Sequence, residues 1–295
     1  MISSHSSPRA TLLVGAAIAA LLTTPAFAQS ADTRAALSGP WTGPYIGLTG
    51  GATLQRERSS DRVMFDTDLN GDFSDTVRTA AGDNAFATGS GNSGFCDGRA
   101  YGDQAFAGCR EDRDGGEGSI RAGMDWQAGG FVFGIVGDVG ATTIKDEAAA
   151  FSSTPAAYSF TRKLNGVAGL RARVGVATGP VLTYVTGGGA AGRVKERFMT
   201  TNTANAFSPM ESEDTRYGYQ YGAGMEARAT ERVTFGLEWM RTELDVGDGL
   251  TVRAAQGSAG ATNPFIQANA SGTDIRRMSD DLDFDSVRLT MGVRF

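Results

Sequence analysis

Histidine is all but missing from this 295-residue chain: there is one, His5. It falls in a leader expected to be removed, so the mature chain holds none. That excludes Ser-His-Asp and Cys-His chemistry and any zinc site built on imidazole. Long apolar runs are nearly as scarce. Ala10 to Leu22 is the single one, and it is short for a spanning helix, which needs about 20 residues. If the mature chain enters a membrane, it must do so as a closed barrel, because an open sheet leaves backbone groups unpaired in lipid. Positive charge is also short, with a net charge of −6 and a pI near 5.0, which argues against a nucleic-acid partner. Apolar residues make up only 41% of the chain while glycine numbers 41. That is lean for a soluble core and suits a barrel, where only alternate positions must be greasy.

What is present begins with a leader. Arg9 gives a positive start, the apolar run follows, and Pro25, Ala26, Phe27 and Ala28 set small residues before a cut. The pattern predicts a signal peptide over 1–28, cleaved between Ala28 and Gln29. Residues 29–43 then form a short linker, and 44–295 the folded part. At the other end, Val287, Leu289, Met291, Val293 and Phe295 alternate with Ser286, Arg288, Thr290, Gly292 and Arg294. A period of two with one apolar side is a strand with one greasy face. A final strand ending on an aromatic residue is the habit of bacterial outer-membrane barrels.

The same alternation occurs eight times, near 45–55, 118–127, 131–141, 158–177, 181–198, 215–229, from 233, and over 282–295. Gly129-Gly130, Thr178-Gly179-Pro180 and Thr230-Glu231 read as short turns, whereas the connections after the odd-numbered strands are longer and polar. Short periplasmic turns alternating with long outer loops predict an all-β fold, an eight-stranded antiparallel transmembrane β-barrel in the cell outer membrane. A soluble lipocalin-like barrel would place apolar residues inside. Here charges share one side of nearly every strand, and that side must face inward if the other meets lipid, where Arg or Lys at midplane costs about 2–4 kcal/mol. The inward charges are Arg121, Asp125, Asp138, Arg171, Arg173, Glu226, Arg228, Glu238 and Arg288. Eight strands leave a lumen that side chains roughly fill, so these groups should pair across it as a plug. The other reading is a narrow, charge-lined pore.

The first outer loop, about 56–117, is longer than the strands it joins. Its 13 acidic residues outnumber its 7 arginines by as much as the whole net charge of −6. Phe65, Phe73, Phe86, Phe95, Tyr101 and Phe106 offer the means to pack it into an external cap. Cys96 and Cys109 are the only cysteines, and in an exported chain they predict a disulfide closing a small loop. Asp66, Asp68, Asn70 and Asp72, with Gly71, have the alternate-oxygen spacing of a calcium loop. Val77 stands where the helix-loop-helix motif has its bidentate Glu, and no flanking helices are evident. A calcium site and an acidic, solvated turn are both open on this evidence. The fourth loop, about 247–281, is rich in Gly, Ala, Ser and Asn and reads as mobile surface.

Trp41, Gly43, Tyr45 and Gly47 form a W-x-G-x-Y-x-G pattern ahead of the first strand. With the final strand, this resembles the opacity-protein-like porin family of alphaproteobacterial outer-membrane proteins. The resemblance implies insertion through the barrel-assembly machinery, which reads the C-terminal strand ending in Phe295, and it brings no catalytic residues. Outer-membrane phospholipases, acyltransferases and omptin-type proteases are similar in class only, since they rely on an active-site His. The expected function is non-enzymatic, structural or surface-interacting through the outer loops, with no cofactor beyond the calcium question. The alternative is a small-solute channel. Expected partners are outer-membrane lipid and an external ligand of the loops.

Overall fold

A computed structural model describes residues 40–55, 62–86, 94–110, 114–278 and 281–295. The leader, its cleavage point and linker residues 29–39 lie outside the described residues. Eight long strands form the wall: β1 (Gly43–Gln55), β2 (Gly115–Ala128), β3 (Phe131–Thr142), β4 (Ala156–Thr178), β5 (Val181–Thr200), β6 (Glu211–Arg228), β7 (Val233–Asp245) and β8 (Asp281–Arg294). Each pairs antiparallel with the next, and β8 returns to β1 with Tyr45 opposite Arg294. Closure leaves no free edge, which is what lets a sheet exist in lipid.

The turns at one end are tight. Gly129 and Gly179 adopt φ of 61° and 59°, the left-handed region that two-residue hairpins require. The β6–β7 turn is longer than the spacing suggested, because β6 ends at Arg228 and β7 starts at Val233.

Around the wall, Ile46, Leu48, Ile120, Phe133, Leu170, Val185 and Leu289 stand exposed, and their strand neighbours point into the lumen. Aromatic residues gather at both margins of this apolar face. Trp126, Phe131, Phe235 and Phe295 lie near the tight turns, and Tyr217, Tyr219 and Tyr221 lie toward the outer loops. Such girdles mark the two membrane–water boundaries.

β4 and β5 are far longer than the 9–11 residues a spanning strand needs. The excess of β5, about nine residues at ~3.3 Å each, carries the sheet roughly 30 Å beyond the spanning part along the strand direction. There the alternation inverts. In β4, Leu170 faces lipid, but past the extra residue Asn165, which shifts the register opposite Arg193 and Val194, Leu164, Phe160 and Tyr158 turn inward while Lys163 faces out. Water outside the bilayer rewards the opposite polarity from lipid, and the shift moves the strand faces accordingly.

The outer loops fold onto this extension. Lys145–Ser152 pairs along β4, and Phe95–Asp97 pairs with Lys145–Ser152. Facing them is a separate antiparallel sheet in the order Ala206–Ser208, Val252–Ala255, Thr273–Arg277, Val63–Asp66. Between the two lies an apolar core that includes Phe65, Phe86, Tyr158, Phe198, Phe265 and Ile275. The first loop supplies strands to this cap. One expectation is corrected here: the fourth loop is a structured part of the cap. Its Val252, Ala254 and Ile275 are completely buried, so small residues among glycines were packing residues and not signs of mobility.

Candidate functional site

The lumen is filled in layers from the tight-turn end outward. Trp41, Val132, Leu182 and Tyr184 close the first level. Trp41 is held there because its backbone N–H donates to Gln127 Oε1 at 2.7 Å and its backbone carbonyl accepts from Arg294. Glycines on the inner face make room for the large side chains. A Cβ on Gly123 would meet the Tyr45 ring at 2.4 Å.

The second level is ionic. Arg173 donates from Nε to Asp125 at 2.7 Å and from Nη1 to Glu226 at 2.8 Å, and it lies 4.8 Å and 5.0 Å from the rings of Tyr45 and Tyr184. Arg294 adds a second cation to Asp125 at 2.7 Å. Arg121 donates to Glu238 at 2.8 Å, and the Tyr184 hydroxyl donates to the other Glu238 oxygen at 2.8 Å. Arg171 bridges Asp138 and Gln220, the latter at 2.7 Å, and Gln220 donates onward to Thr242. Arg288 pairs with Glu117 and lies 3.7 Å from Glu238. Arg228 sits near the tight-turn end, donating to the Pro40 and Glu231 carbonyls and lying 5.6 Å from the Trp41 ring.

All nine charged residues named from the sequence therefore face the interior. Arg294 and Glu117 belong with them. Arg294 shares the polar side of β8 with Arg288, so parity alone would have found it. Glu117 lies on β2 because that strand begins at Gly115, three residues before its clean alternation sets in.

The third level is apolar: Ile144, Leu164, Val194, Leu244, Leu282 and Phe284 interlock above the charges. No sequence reading anticipated it. Above this level come two buried pairs, Arg162–Glu196 at 2.5 Å and Arg277–Asp146, and then the core of the cap.

In the cap, Cys96 and Cys109 are joined as a disulfide. Cys96 sits on the strand added beside Lys145–Ser152, and Cys109 on a short pairing with Ala100. Phe65, Phe86 and Phe95 enter the cap core, Phe73 lies 4.0 Å beneath Arg276, and Tyr101 and Phe106 are exposed.

The acidic turn is held by its own backbone. Asp66 accepts from the N–H groups of Leu69, Asn70 and Gly71, and Asn70 donates to Asp68 while accepting from the Asp72 N–H. Asp72 turns away to accept from the Ser74 N–H. The carboxylates that converge, with one oxygen of each within 4.8 Å of the others, are Asp66, Asp68 and Asp75. Asp75 accepts from both the N–H and the hydroxyl of Thr67, which hold its pKa below the ordinary value. These hydrogen bonds account for the turn by themselves.

At the far tip of the cap is a cleft of about 260 Å³. Phe86, Tyr158 and Phe265 form its floor, and Thr201, Asn202 and Asn263 its rim. Among the described residues, no charged side chain lines it. Burial raises the Tyr158 pKa, while hydrogen bonds from Ser152 and Asn202 oppose the rise, so the hydroxyl stays neutral and able to donate.

No family model matches the chain. It is 30% identical over 132 residues to a 22 kDa outer membrane protein of Rhizobium leguminosarum bv. viciae, covering 44% of this chain and 54% of that one. It is 32% identical over 129 residues to a 31 kDa outer-membrane immunogenic protein of Brucella melitensis, covering 43% and 53%. The chain thus spans about half the length of the curated relatives it matches. Among solved structures, the outer membrane protein OprG of Pseudomonas aeruginosa aligns over 88% of this chain and 98% of its own, at 11% identity and a TM-score of 0.41.

Proposed function

We propose that this homologue of alphaproteobacterial outer-membrane proteins, itself located in the outer membrane, is a closed and non-enzymatic barrel that works from its external face. The observation that carries the reading is the filled lumen. An aromatic level, an ionic level and an apolar level lie in series, and Trp41, Arg171, Leu244 and Phe284 are all within 1% of complete burial. A hydrated solute path would have to cross an apolar layer with no polar group to replace its water. The cap has a core of its own, and its tip cleft is formed by the turns that meet over Tyr158 and Phe265 on that core. The cleft suits an uncharged, hydrogen-bonding ligand. The reading needs no cofactor. Outer-membrane lipid is the partner of the apolar belt, and the barrel-assembly machinery is the partner of β8, whose end at Phe295 is largely exposed.

Single-channel recording of refolded residues 29–295 in a planar bilayer tests this. Silence from protein shown to be folded is the expected result. Steady conductance that scales with salt would replace the reading with a small-solute channel.

A further inference from the structure

The chain has three lysines in all, Lys145, Lys163 and Lys195. Strand register places the three side by side: Lys145 pairs directly with Lys163, and Lys163 directly with Lys195. Neighbouring strands lie about 4.8 Å apart, so the row spans roughly 10 Å. Lys145 and Lys163 are exposed and Lys195 is partly so. Arg193 and Arg197 stand on the same outer face of β5, two residues to either side of Lys195. Three carboxylates share this wall. Glu211 pairs with Lys195 at 2.7 Å and Arg197 at 2.9 Å, Glu213 pairs with Arg193, and Glu147 accepts from Thr161. Among the described residues these are five cations against three anions, which makes this stretch of wall basic on a chain whose net charge is −6.

Like charges directly opposite on paired strands repel. The sequence nevertheless puts every lysine there, and none of the acids named pairs with Lys163. The height of the row says what relieves the repulsion. Tyr217, in the outer girdle, pairs with Ala191, and Lys195 comes four residues further out on the same strand. The row also sits just past the register shift where the wall changes from apolar-out to polar-out. That is the level of outer-leaflet headgroups, where long lysine side chains extend readily along the boundary. The wall at the β7–β8 side has the opposite sign, with Arg241 gathered among Glu243, Asp283 and Asp285.

We propose that the Lys145–Lys163–Lys195 row is a binding site for the phosphates of an outer-leaflet glycolipid, seated on the β4–β5 side of the barrel and excluded from the β7–β8 side. The alternative occupant is the acidic wall of a second copy. The lipid is favoured because the row lies at headgroup height, four residues beyond the level of Tyr217, where outer-leaflet phosphates meet the wall directly.

The test is native mass spectrometry of the folded mature protein titrated with diphosphoryl lipid A, and with the same lipid after phosphatase treatment. Wild type should retain the phosphorylated lipid and release it as salt rises. The variant Lys145→Gln/Lys163→Gln/Lys195→Gln should bind about 100-fold more weakly, from the roughly fivefold contribution of each surface lysine near an anionic layer. Heat-modifiable gel migration checks folding. If the triple variant does not fold, Lys163→Gln alone, at an exposed position, should still weaken binding about fivefold. Undiminished retention by either folded variant overturns the site, as does equal retention of the dephosphorylated lipid. Loss of a cross-linked dimer in the variant, with lipid retention unchanged, would assign the row to a second copy and overturn it too.

Discussion

Substituting Arg171 by Met tests whether the lumen is dry. Arg171 is 1% exposed and Asp138 9%. The guanidinium holds both Asp138 and Gln220, and the described residues give Asp138 no other cation. Met keeps most of the side-chain volume, so the principal effect is a buried carboxylate stripped of its partner. Such a removal costs about 3–5 kcal/mol where water cannot enter. Replacing both members, Arg171→Met with Asp138→Leu, should recover most of the loss, since exchanging a whole buried pair for apolar groups is often neutral. The assay is reversible urea unfolding of the refolded barrel in lipid vesicles, followed by tryptophan fluorescence. With an m-value of about 3 kcal/mol/M, the single variant should lower the midpoint by at least roughly 1 M. A loss below about 1 kcal/mol in the single variant would refute the reasoning. It would mean that water hydrates Asp138 and that the lumen is wet, and the case for a closed barrel would fall with it.

Phe284→Ala, in the apolar level, should destabilise the barrel by about 3–5 kcal/mol and leave the bilayer recording silent, because the ionic level below still blocks the path; conductance equal to an open pore would show that the apolar level alone is the seal. Cys96→Ser/Cys109→Ser releases a closed loop of sequence separation 13 and should cost the cap about 3 kcal/mol, seen as faster hydrogen exchange around 95–110 with the barrel strands unchanged. The Asp75 pKa is lowered in the fold by its Thr67 hydrogen bonds. A depressed carboxyl stabilises the folded turn above its unfolded pKa of about 3.9 and loses that contribution as pH falls through the folded value. A carboxyl NMR titration should place Asp75 below the ordinary Asp value of about 3.9, and Thr67→Val should raise it. Phe295→Ala should slow assembly into outer-membrane vesicles that contain the insertion machinery while leaving spontaneous refolding in detergent intact, and equal slowing of both would point to a fold defect.

Much of the wall was legible because lipid imposes a strict period. Val287, Leu289, Met291 and Val293 alternate with Arg288, Thr290 and Gly292 with no interruption, and β8 lies where that pattern placed it. The inward charges followed by parity from the same rule. The apolar level did not, although Leu244, Leu282 and Phe284 occupy the same parity as Glu238, Arg288 and Arg294. A polar inner face is required only at membrane depth, and beyond it the inner face of the same strands turns apolar. The cap was missed for a related reason. Val252 to Ala255 and Thr273 to Arg277 are short strands between glycine-rich turns, and segments so short acquire identity only from the partner they pair with. The converging carboxylates shifted from Asp72 to Asp75 because the chain turns back after Gly71, at a φ of 92°.

Alternation and turn chemistry by themselves determined the barrel, its eight strands and the lipid-facing side, since each depends on neighbours along the chain or on a solvent that acts on every strand alike, and a cysteine count of two left one possible disulfide. Tertiary structure decided what fills the lumen, how the loops build a second core, and which charges meet. Trp41 and Arg294 are 253 residues apart, and the three lysines become one row only through the pairing of β4 with its two neighbours. Contacts of that kind depend on closure and register, which no local pattern contains.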